Sequence, residues 1–95
     1  MDTATILELT KARLGISTSA RDVYLVSIVE SILTELEDEK GITLESENMN
    51  HTMFVVDYAT WRYQSRDSSG ALPRHLQWRL HNLFIHNGGG QDVQP

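Results

Sequence analysis

The 95-residue sequence has no cysteine and only two prolines. Without a thiol there is no disulfide, no thiolate metal ligand and no cysteine nucleophile. No apolar run approaches the roughly 18 residues that a membrane span needs. The start of the chain does not pair a basic segment with an apolar one, so a signal peptide is not expected. Bases are scarcer than acids: eight Lys and Arg against thirteen Asp and Glu leave a net charge of −5. Phosphate affinity depends on clustered cations, and this chain lacks the cluster that wrapping DNA requires. Hydrophobic residues at 40% and charged residues at 22% are nonetheless ordinary globular usage, which argues against wholesale disorder. One domain of this length buries about 60–65% of its unfolded surface. An enzyme with separate cofactor and substrate domains is excluded, and a small, soluble, mildly acidic intracellular domain is expected.

The charge is unevenly spread. Residues 1–47 hold Lys11, Arg13, Arg21 and Lys40 against ten acids, for −6; residues 48–95 hold four Arg against three Asp, for +1, and all four His. Such a chain can pair with copies of itself, or neutralise its opposite charges within one fold.

Spacing predicts four helices. Ile6, Leu7, Ala12 and Leu14 mark a short one from Thr3 to about Leu14, with Thr3 or Thr5 as N-cap and Gly15 as its stop. Ser19 and Asp22 resemble a capping box. From there Leu25, Ile28, Val29, Ile32, Leu33 and Leu36 trace one face of a long amphipathic helix over about 19–40, closed by Lys40 and Gly41. Residues 42–50 read as a connection, with Asn48 or Asn50 capping a third helix. There Met49, Met53, Val56, Tyr58 and Trp61 lie on or near one stripe, and the turn formers Asp67-Ser68-Ser69-Gly70 follow near Arg66. Pro73 opens the last helix, striped by Leu76, Leu80, Leu83 and Phe84 with Trp78 and Ile85 flanking, and Asn87-Gly88-Gly89-Gly90 ends it. The expectation is an all-α domain over 1–87 and a flexible Gly-rich tail over 88–95.

Chemistry-bearing clusters are few. His75, His81 and His86 are spaced by six and five, so neighbours on the helix do not converge, and a metal site is not expected. No Gly-flanked serine follows a strand, and no cofactor is expected. Glu35, Glu37, Asp38 and Glu39 read as a solvated charge run. The glycine triplet follows a helix instead of opening one, the wrong polarity for a phosphate loop. Met49, Met53 and Phe54 are read as core in preference to a recognition surface; Trp61 and Trp78 are left open between core anchor and exposed contact. Arg62 and Arg66 share a face of the third helix, with Arg74 and Arg79 on the next. They fit either solvated residues paired with Asp57 and Asp67 or a forked donor surface for the acidic half of another copy.

The stretch from Val56 to His86, with Tyr58, Trp61 and Tyr63 before Arg66, then Leu72-Pro73 and Arg79-Leu80-His81-Asn82, resembles the phage head–tail connector family. The helix order agrees, and the resemblance covers most of residues 4–86. It implies a structural virion protein of the head–tail neck, present in host cytoplasm during assembly. It also implies a homo-oligomeric ring, about twelve-fold, beneath the portal protein and above a stopper or tail-completion protein. DNA would pass through without sequence-specific binding, and no membrane is involved. Arg62, Arg66 and Arg79 become candidates for protomer contacts. Gly88, Gly89, Gly90, Gln91, Asp92 and Val93 become candidates for portal docking, in a segment short for that role. The acidic balance suits a conduit that lets DNA slide. The other reading is a small helix-turn-helix DNA-binding regulator, with the last helix as recognition helix.

Overall fold

The computed structural model describes residues 1–66 and 70–87. Among them there is no strand, and the architecture is all-α: α1 (Thr3–Leu14), α2 (Asp22–Thr34) continued by a π-helical turn (Glu35–Glu39), α3 (Met49–Gln64) and α4 (Arg74–Asn87). No described helix is long and apolar enough to cross a membrane. The expected tail, 88–95, lies outside the described residues, as do Asp67, Ser68 and Ser69.

Several helix ends have a local cause, and two differ from expectation. Asp2, not Thr3 or Thr5, caps α1: its carboxylate accepts from the Ala4 N–H at 3.1 Å and from the Thr5 hydroxyl at 2.7 Å. Those bonds, the Thr5 hydroxyl first, hold the Asp2 carboxyl below the usual carboxylate range. Gly15 closes α1 at φ +73°, where its N–H reaches the Ala12 carbonyl and a β-carbon would be strained. The second helix starts at Asp22 instead of residue 19. Ser19 contributes only its carbonyl, taken by the Asp22 N–H at 3.1 Å, and no side chain caps the helix. Its last five residues widen into the π turn, where the Lys40 N–H reaches Glu35 O at 3.1 Å and the Ile42 N–H reaches Leu36 O at 2.9 Å. The wider turn keeps Leu36 fully buried and returns the chain through Gly41, φ +67°, so that Ile42 and Leu44 also enter the core.

Asn48 caps α3 as expected, its Oδ1 accepting from the N–H groups of Asn50 at 2.9 Å and His51 at 3.3 Å. Asn48→Ala is therefore expected to cost about 1 kcal/mol, read as a lower urea midpoint at unchanged slope. Pro73 precedes α4, and its carbonyl takes the N–H groups of Leu76 and Gln77.

All six apolar positions read for α2 are buried. Among the described residues, helices α1, α2 and α3 pack against one another, while α4 packs on α3 and on no other helix. As the central helix, α3 buries a wide face that includes His51, Thr52 and Thr60 beside Phe54, Val55, Val56, Tyr58 and Ala59. Of the three residues read as core near its start, Phe54 is buried and Met53 packs on the core's edge, but Met49 is 66% exposed. Trp61 packs against the core, whereas Trp78 is 62% exposed.

Candidate assembly surface

The arginines singled out in the sequence reach very different settings. Arg79 crosses from α4 to α3, where its Nη1 lies 2.6 Å from Asp57 Oδ2 and its guanidinium stacks 5.4 Å above the Phe54 ring. Asp57 also accepts from Arg13 of α1, so one carboxylate ties three helices. Arg62 donates to Glu35 Oε1 at 3.2 Å and to the Tyr58 hydroxyl at 3.0 Å, and lies 4.8 Å from the Tyr58 ring centroid. Arg66 sits at the exposed end of α3, donating to the Tyr63 carbonyl at 2.6 Å and stacking on that ring at 4.2 Å. The tyrosine hydroxyl also accepts from Arg21. Arg62 and Arg79 thus hold the fold together while keeping about a third of each side chain exposed. The candidates Gly88 to Val93 lie outside the described residues.

Tyr58 joins this cluster, donating to Glu35 Oε2 at 2.9 Å. Burial pushes its phenol up to about 12, helped by Glu35 as hydrogen-bond partner and negative charge and opposed by Arg62. Because the folded value lies above the ordinary 10, the protonated phenol's contribution is complete below pH 10 and is lost as pH rises toward 12. Stability is expected to fall across that window by about 2 kcal/mol more than in Tyr58→Phe. Denaturant midpoints at stepped pH values check this, and equal slopes for both chains would refute it.

Charge is sorted by helix. Residues 22–39 hold Asp22, Glu30, Glu35, Glu37, Asp38 and Glu39 and no base; residues 74–87 hold Arg74, Arg79 and three His and no acid. Two of those acids are engaged internally: Asp22 by Lys11 at 2.9 Å and Glu35 by Arg62. Glu30, Glu37, Asp38 and Glu39 are exposed.

The inner face of α4 carries Leu76, Arg79, Leu80 and Leu83, which are buried or half-buried. At about 100° per residue, Arg74, Trp78, His81 and Ile85 lie opposite that face, and all four are exposed. The Trp78 and His81 rings meet edge to face at 6.3 Å. Among the described residues no group of three metal-ligating side chains converges. The fourth histidine, His51, is 1% exposed; its Nδ1 accepts from the Glu45 N–H at 3.0 Å, and its Nε2 is buried without a partner.

Compared with known proteins, the chain matches no family model, no curated protein and no solved structure.

Proposed function

We propose that the chain is a structural part of a virion, a head–tail connector that assembles as a ring under the portal and extends the DNA channel. The observation that carries this reading is the outward face of α4. Among the described residues, a helix packed on α3 alone displays a large aromatic side chain beside Arg74, which forms no ion pair with a described acid, the composition of a contact surface. The resemblance of Val56–His86 to the connector family supports the same reading. The sorting of charge between helices supports it too, since heterologous contacts between opposite faces close into rings.

Co-sedimentation with the purified portal ring of the phage that encodes the chain, with and without residues 88–95, tests it. Saturable binding lost on truncation supports docking through the tail. Binding that survives truncation moves the docking site to the helical body. Failure to bind overturns the proposal for that portal. Within this reading, Arg66→Glu is expected to block ring assembly with helical content unchanged. Normal assembly would remove Arg66 from the protomer contacts.

A second reading has its own observation. The exposed face of α4 combines Arg74, His75 and Asn82 with no acid on the helix, so a helix-turn-helix regulator would read DNA with it. Against it, Asp57 already occupies Arg79. Low-micromolar or tighter duplex binding with a steep salt dependence would favour the regulator.

A further inference from the structure

The outward stripe of α4 has a counterpart on α2. The buried positions Leu25, Ile28, Val29, Ile32 and Leu36 leave Val23, Ser27, Glu30 and Thr34 on the opposite side. Val23 is 87% exposed, the most exposed large hydrophobic residue of the described chain. Together with Asp22, Val26, Ser27 and Glu30 it lines a shallow groove of about 380 Å³. The two stripes have the same spacing: 23, 27, 30 and 34 on α2, and 74, 78, 81 and 85 on α4. Each steps by four, three and four residues, the spacing with which helices interlock side by side.

Their chemistry is opposite. The α2 groove is apolar along its floor, with a carboxylate near each end: Glu30, exposed and in no ion pair with a described residue, and Asp22, which Lys11 of its own chain engages at 2.9 Å and which adds only its remaining exposed edge. The α4 ridge has an aromatic centre, Trp78, with Arg74 on one side and His81 on the other. Asp22 and Glu30 are separated by about 12 Å along their helix axis, and Arg74 and His81 by about 10.5 Å along theirs. Laid parallel, the stripes set Trp78 against Ser27, where a small side chain leaves room for a large one. The same alignment sets His81 against Glu30.

We propose that the α2 groove receives the outward face of α4 from a second copy of this chain, with Trp78 as the anchor. The contact joins two different surfaces, so a pair of copies keeps one free groove and one free ridge between them, and successive copies add in one direction. The inference rests on the reading that copies of this chain assemble with one another, and it identifies the surfaces that do so. It departs from the sequence-based choice of Arg62 and Arg79 as protomer contacts, because those side chains are engaged by Glu35 and Asp57 of their own chain.

The cysteine-free sequence allows a direct test. Ser27→Cys and Gln77→Cys variants, both at exposed positions, are mixed and treated with a short bismaleimide, alone and on portal rings. The expected product is a mixed dimer, at about tenfold the yield of a Glu8→Cys and Gln77→Cys control pair. A chain carrying both cysteines should give a ladder of higher products. Trp78→Ala in the Gln77→Cys partner should cut the yield about tenfold or more, as loss of an interface anchor does. Glu30→Arg should lower it, and His81→Glu in the partner should restore it, a rescue that damage to the fold would not produce. Yields at the control level both free and on the portal overturn the proposed contact. If such a chain still co-sediments with the portal, the connector reading stands and only this interface fails. Cross-linking without portal binding leaves the interface and removes the connector reading.

Discussion

Replacing Phe54 by alanine is expected to lower the unfolding free energy by about 3–5 kcal/mol. Phe54 is 1% exposed at the middle of the one helix that touches all the others. Its ring meets Tyr58 edge to face at 5.8 Å and lies under the Arg79 guanidinium. Truncation opens a cavity bordered by α3 and α4 and withdraws the surface on which Arg79 is stacked. A domain of this length has a total stability of roughly 5–14 kcal/mol, so the variant sits near the edge of folding at room temperature. Urea unfolding followed by far-ultraviolet circular dichroism measures it. Phe54→Leu, which keeps most of the volume, is expected to cost about 1 kcal/mol. Equal midpoints for wild type and Phe54→Ala would show that the ring does not anchor the core.

Leu76→Asp has the second large effect, and its character is different. Leu76 is 1% exposed in the first turns of α4, where that helix meets α3. An unpaired carboxylate there costs several kcal/mol, and among the described residues α4 has no second helix to hold it. The expected result is release of α4 with α1, α2 and α3 still packed. Circular dichroism should lose the contribution of a 14-residue helix, and a cooperative transition should remain at a lower midpoint. Trp78 is already 62% exposed and should change its fluorescence little, whereas Trp61, packed at the core, should keep its folded signal. Complete loss of the cooperative transition would mean that α4 is integral to the core.

Helix existence was legible because apolar periodicity records a one-sided environment. The stripe of α2 is such a case, and every residue read from it is buried. The third helix is covered by neighbours on several sides, so its buried face is too wide for a single stripe. The polar residues His51, Thr52 and Thr60 went unread there, and Met49 was misread as core at a position that looks outward. Capping chemistry was legible at Asn48. At Asp2 and Ser19 several oxygens competed locally, and backbone geometry decided between them. Ion pairing was legible only as a supply of charges. Asp57 was anticipated as a partner for arginine, but Arg13 is 44 residues away in sequence and its approach depends on how α1 crosses α3. Glu35, read as one of a solvated run, is drawn half out of water by Tyr58 and Arg62. The exposure of Trp78 was undecided for the same reason: one helix's sequence does not say how many neighbours it has.

The π turn at Glu35–Glu39 has a consequence for how this chain tolerates changes of length. It holds one residue more than an α-helical turn would over the same path, and it contains Leu36 and leads to Ile42, both of which the core requires. Removing a single exposed residue there, such as Asp38, would let the last turn of α2 close as regular α-helix. The same removal two turns earlier would rotate the buried stripe by about 100° and expose half of it. Related chains that differ by one residue in this region should therefore carry their gap within the exposed stretch 37–39, with Leu36 and Ile42 on either side still in the core.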